Sequence, residues 1–216
     1  MPYNQGTLKQ SSPATYNLIV VNVIFYVATL INETFMVKTF GLWHPAVPYF
    51  KFWQPVSYMF MHGGFWHIFF NMYSLWIFGM AVERITGSRR FLILYFLAGL
   101  GAAAAQLGVQ TFTHSYFPTV GASGSIYGII VAFAMLFPEA KLTLLFPPIT
   151  LSAKWMAIIF IGIELFTGVT GTDQGVAHFA HLGGALIGWL LILWWYRRPG
   201  RNKRNKYDNH YIHYDY

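Results

Sequence analysis

Six long apolar stretches, over roughly residues 16–36, 56–82, 91–109, 121–137, 153–169 and 176–196, leave few folds open to this chain. A helix needs ~17–25 mostly apolar residues to cross the hydrocarbon core of a membrane. The fourth and fifth stretches lie near the short end of that range. Composition agrees: 56% of the 216 residues are hydrophobic and only 10% are charged, whereas about a quarter of a soluble domain is charged. The mean hydropathy is +0.44. The expected fold is all-α, a polytopic membrane bundle of six transmembrane helices. Cysteine is absent, which rules out a disulfide framework and any thiolate metal site. The polar stretch 1–13 lacks a basic region followed by a short apolar run, so no cleavable signal peptide is expected.

The distribution of Lys and Arg orients the spans. With both termini cytoplasmic, the cytoplasmic segments hold Lys9, Arg84, Arg89, Arg90, Lys141, Lys154 and six basic residues between 197 and 206. Twelve of the fourteen then lie inside, and only Lys38 and Lys51 outside, as the positive-inside rule requires. The net charge of +7 therefore reads as membrane topology and a lipid-facing tail, with no nucleic-acid face. Residues 37–55 form an outer loop rich in aromatic residues and proline, suited to lying in the membrane interface.

This orientation gathers polar residues at one depth. Ser123 opens the fourth span, in Gly121-Ala122-Ser123-Gly124. His62, His67 and Asn71 fall in the outer half of the second span, and His178 and His181 in the outer half of the sixth. Polar and ionisable groups in hydrocarbon are costly, and their presence points to function. A serine hydroxyl needs an adjacent base to act as a nucleophile, usually histidine. The backbone N–H groups at the start of the fourth helix are free donors for an oxyanion, and Asn71 and His62 can add side-chain donors. No acid stands out as partner of the base: Asp173 lies in a short outer loop and Glu164 mid-span. That favours a Ser–His dyad over a triad. Gly124 with Gly128, and Gly184 with Gly188, make two GxxxG pairs suited to close helix packing. If those faces meet, Ser123 and His181 come within reach of each other.

Three motifs together resemble the rhomboid family of intramembrane serine proteases: His62-Gly-Gly-Phe-Trp-His67-Ile-Phe-Phe-Asn71, Gly121-Ala-Ser123-Gly124-Ser-Ile-Tyr127-Gly128, and Ala180-His181-Leu-Gly-Gly184-Ala-Leu-Ile-Gly188. Ala81-Val-Glu83 followed by Gly87-Ser88 is similar to the family's turn after the second span. The resemblance implies a single domain over 1–216, with a core at about 45–196 and a basic cytoplasmic tail at 197–216. It implies Ser123 as nucleophile and His181 as base. His62, Asn71 and the Ser123 N–H would form the oxyanion site. Tyr127 would stack on His181, Gly121 would allow a tight turn, and His67 would shape or hydrate the site. The family commonly has Trp-Arg before the second span where this chain has Trp53-Gln54, a departure that bears on loop stability and lipid contact rather than chemistry.

The implied activity is cleavage of single-span membrane proteins in or near their transmembrane segments. No metal and no cofactor are expected. The expected partners are transmembrane protein substrates and lipid. The expected location is a bacterial inner (plasma) membrane with the site toward the outer side. The alternatives are a catalytically silent rhomboid-fold protein that binds membrane-protein clients, and a transporter or metal protein using His62, His67, His178 and His181. Against the last, the chain has no HExxH. The plainer assignments make His178 a neighbour lining the water cavity and Glu164 a gate or packing residue. His44, His114, His210 and His213 are expected in exposed loops or the tail.

Overall fold

A computed structural model describes residues 12–143, 148–171 and 177–196. Lys9, Asp173, His210, His213 and the basic cluster after 196 lie outside the described residues. Helix α1 spans Pro13–Ile31 and α2 Glu33–Phe40. The expected first span, 16–36, therefore ends early. The Asn32 side chain accepts from the Phe35 N–H at 3.0 Å and caps α2 as a separate helix.

The second span also differs from expectation. Two short turns, Gln54–Ser57 and Tyr58–Phe60, precede it. The spanning helix α3 covers Phe65–Thr86. Gly63-Gly64, a poor helix segment, delays its start. It contains one wider π turn at Leu75–Gly79. It ends past Glu83-Arg84, at Gly87, whose φ of +79° suits a glycine terminator. Helix α4 spans Ser88–Thr113 and α5 Ser123–Leu136. A small antiparallel hairpin, β1 Lys141–Thr143 with β2 Thr150–Ser152, joins α5 to α6, Ala153–Thr170. Helix α7 spans His178–Tyr196. Five of these helices (α1, α3, α4, α6 and α7) are long and apolar enough to cross a membrane. The shorter apolar α5 makes a bundle of six, an integral membrane protein.

Small residues decide how the bundle packs. Without a hydrophobic drive between helices in lipid, close backbone approach supplies the attraction. A Cβ on Gly184 would run into the Gly124 carbonyl, and one on Gly188 into the Gly128 carbonyl. On the other face of α7, a Cβ at Gly183 would meet the Gly101 oxygen at 2.7 Å. Helices α4, α5 and α7 thus form a tight trio. Helix α5 is central and mostly buried. Its 14 residues rise only about 21 Å, less than a hydrocarbon core of ~30 Å. A helix that short does not reach both surfaces of the membrane.

Two polar anchors tie the periphery to this core. The buried Glu83 carboxyl accepts from the Ala14 and Thr15 N–H groups at 3.0 and 2.8 Å and from the Thr15 hydroxyl at 2.7 Å. These are orphan donors at the start of α1. The Ser88 hydroxyl adds a fourth bond at 2.6 Å. The other anchor is Gln54, which is completely buried. It donates to the Tyr49 carbonyl at 2.9 Å and the Lys38 carbonyl at 3.2 Å, and accepts from the Lys51 N–H at 3.1 Å. The loop at 37–55 is held from within by this amide, while Phe52 points outward. Leu42 and Thr119 exchange two backbone hydrogen bonds of 2.9 Å, joining that loop to the segment before α5.

Candidate active site

A cavity of about 670 Å³ opens above the N-terminus of α5. Its wall includes His67 and Asn71 from α3, Gly121, Ser123 and Gly124 from α5 and its lead-in, and His181 from α7. Phe117, Pro118 and Thr119 contribute from the loop between α4 and α5. The cavity thus lies under the loop at 114–119.

The Ser123 Oγ is 2.8 Å from His181 Nε2. Glycine packing of α5 against α7 sets this distance, because the two GxxxG rows meet one turn below. The Tyr127 ring lies parallel to the His181 imidazole at 4.4 Å and 7°. The stack opposes turning of the imidazole out of that plane. The Ser123 N–H opens α5 and has no intrahelical partner, so it is available to an anion.

Gly121 carries a φ of +132°, in a region where side chains are strained. A Cβ there would meet His67 Nε2 at 2.8 Å and lie 3.5 Å from the Ser123 Oγ. His67 therefore occupies the space beside the Ser123 hydroxyl. Its Nδ1 accepts from the Gly63 N–H at 3.4 Å, which puts a proton on Nε2, the nitrogen nearest Gly121. Asn71, one turn along the same face, donates one amide hydrogen to the His67 carbonyl at 2.7 Å and keeps a second donor.

His62 is not brought to this wall. It precedes α3 rather than lying on it, so a helical offset between His62 and His67 does not apply. Its ring is buried, 5.0 Å centroid to centroid from His67, and neither nitrogen has a hydrogen-bond partner among the described residues. Burial, with His67 second, pushes its imidazole down to about 3, so it stays neutral. The i, i+4 spacing of His67 and Asn71, together with the Gly63-Gly64 break, was the available signal for which histidine faces the serine.

His178 lies behind His181 and off the cavity wall, with its Nδ1 2.6 Å from Glu164 Oε2. Glu164 also touches His181 Nδ1 through Oε1, at 2.9 Å, and accepts from the Tyr127 hydroxyl. The sequence offered one sign of this acid, a carboxyl alone in an apolar helix, but not its partners. His44 is not exposed as expected. It stacks on Tyr116 at 4.3 Å, and its Nε2 lies 2.9 Å from the Thr111 hydroxyl.

A serine hydroxyl, an imidazole and helix N-terminal donors around a cavity sunk between apolar helices define a class of membrane-embedded site suited to acyl transfer. The chain belongs to the rhomboid family: residues 49–198 match the Rhomboid domain. It is 34% identical over 147 residues to the presenilin-associated rhomboid-like protein A, mitochondrial, of Danio rerio, covering 65% of this chain and 38% of that protein. It is 30% identical over 149 residues to the rhomboid protein 1, mitochondrial, of Saccharomyces cerevisiae, covering 68% and 42%. Against the rhomboid protease GluP of Bacillus subtilis it is 31% identical over 140 residues, covering 65% and 25%. The matched segment therefore spans between a quarter and about two fifths of these relatives.

Proposed function

We propose that this protein is an intramembrane serine protease that cleaves single-span membrane proteins in or near their transmembrane segments. The observation that carries this reading is the 2.8 Å approach of His181 Nε2 to the Ser123 hydroxyl at the floor of a cavity. His181 takes the Ser123 proton as the oxygen attacks a peptide carbonyl. The tetrahedral oxyanion is held by the Ser123 N–H, the Asn71 amide and, in place of His62, the Nε2–H of His67. His181 returns the proton to the leaving amine, and water then repeats the sequence on the acyl-enzyme. The substrate must present an extended backbone, because a helical one hides its carbonyls. It reaches the site laterally between α3 and α6.

Orientation follows from which ends carry charge. Arg84, Arg89, Arg90, Lys141 and Lys154 fall at the helix ends opposite the cavity. With the positive-inside rule, both termini are cytoplasmic and the site opens outward. We assign the chain to a bacterial plasma membrane. The mitochondrial names of several relatives favour a mitochondrial membrane as the second reading.

The test is cleavage of a single-span reporter in liposomes by the wild type, Ser123→Ala and His181→Ala, with and without chelator. We expect cleavage that survives the chelator and is lost in both variants. Wild-type protein that neither cleaves a panel of reporters nor reacts with a fluorophosphonate at Ser123 would instead indicate a client-binding rhomboid-fold protein.

A further inference from the structure

Resting on that proteolytic reading, we propose that Glu164 is a positioning residue for His181, so that the catalytic unit is Ser123–His181–Glu164 rather than a dyad. The two ring nitrogens of His181 face different partners. Nε2 meets Ser123 at 2.8 Å and Nδ1 meets Glu164 Oε1 at 2.9 Å. A carboxylate at Nδ1 holds the imidazole proton there and leaves the Nε2 lone pair for the serine. It also offsets the positive charge that His181 acquires when it takes the serine proton. Among the described acidic side chains, Glu164 alone reaches His181.

The carboxylate is itself held. The Tyr127 hydroxyl donates to Oε1, and His178 Nδ1 lies 2.6 Å from Oε2. Thr167, one turn along α6, places its hydroxyl 3.0 Å from the same His178 nitrogen. Glu164 is thus fixed by two neighbours while its third contact is to the base. That third contact is bent away from the ring N–H direction, since Nδ1 lacks an aligned hydrogen bond despite the 2.9 Å separation. Resting enzymes often carry such loose contacts, which straighten when substrate is bound.

Glu164, His178 and His181 can also be considered as metal ligands, because their donor atoms lie within 4.8 Å of one another. Their contacts are the wrong length for that. Tetrahedral ligands about 2.0–2.1 Å from zinc sit roughly 3.3 Å apart. The 2.6 and 2.9 Å separations of Glu164 from His178 and His181 are shorter than that.

The decisive experiment combines ring-nitrogen NMR of His181 in ¹⁵N-histidine-labelled protein with kinetics of Glu164→Gln and Glu164→Asp. We expect the wild-type His181 proton on Nδ1. In Glu164→Gln that preference is lost and kcat falls roughly 10²–10⁴-fold, the scale on which triad acids act. KM and melting temperature stay close to wild type. Fluorophosphonate labelling of Ser123 slows in proportion to kcat, and Glu164→Asp recovers part of both rates. A wild-type His181 protonated on Nε2, or a Glu164→Gln enzyme with unchanged kcat, overturns the proposal. So does a loss of activity that tracks a fall in melting temperature while the tautomer is retained. A wild type that neither labels nor cleaves would defeat the protease reading instead, and the tautomer would still report whether Glu164 holds the imidazole.

Discussion

At the scale of single residues, the site depends on small groups standing where large ones would not fit. Gly121 sits at φ +132° with the His67 ring filling the space beside it. Strain at such a position is worth about 1–3 kcal/mol, and a methyl group would also push His67 away from the Ser123 hydroxyl. We expect Gly121→Ala to lower kcat at least about 10-fold and to melt several degrees earlier, read by reporter cleavage beside differential scanning fluorimetry. The two histidines of the first motif make a sharper pair. His67→Ala should lose roughly 10²–10³-fold in kcat, the effect of removing one oxyanion donor. His62→Ala should chiefly reduce stability, since its ring packs away from the cavity. If His62→Ala instead gave the larger kinetic loss in a fully folded enzyme, the assignment of His67 to the oxyanion would be wrong.

At the scale of elements, helices are placed by backbone approach and by a few buried polar anchors. Gly184 is in contact with the Gly124 backbone, so any side chain there separates α5 from α7 and with them Ser123 from His181. Gly184→Leu should therefore abolish cleavage and thermal unfolding cooperativity together. Glu83 works differently, since its carboxyl satisfies the exposed donors at the start of α1 from the end of α3. Its replacement by Ala leaves those buried N–H groups unpaired, each worth about 1–3 kcal/mol. Denaturation in mixed micelles should show a loss of several degrees with the Ser123 labelling rate preserved at low temperature. Unchanged melting would mean that water or lipid replaces the carboxyl. Both elements carry sequence marks, a GxxxG and an acid before a glycine. What those marks touch is not written beside them.

At the scale of the whole molecule, the helices alternate in direction. Every cavity residue lies toward one end of the bundle and the described Arg residues toward the other. The chain has no cysteine, which makes this directly testable. A membrane-impermeant maleimide added to sealed, outside-out cells should label Phe117→Cys and spare Arg89→Cys. The opposite pattern would invert the proposed topology. The number and order of spans, the charge asymmetry and the motif order were all legible in the sequence, because hydropathy and the positive-inside bias act along the chain and need no partner. Boundaries were less so: Asn32 caps a second helix where hydropathy ran on, and Gly63-Gly64 postponed α3.

Local chemistry was thus enough to show that Ser123 and His181 belong to one bundle at one depth. Only the tertiary structure decided which groups meet there. His67 rather than His62 reaches the wall because residues 61–64, just before α3, are not helical. Glu164 meets His181 because α6 lies against α7, a contact between residues 17 positions apart on separate helices. Sequence records periodicity and burial within each element, whereas the rotation of one helix against another is set by the packing of side chains on both, and that information exists only once they are in contact.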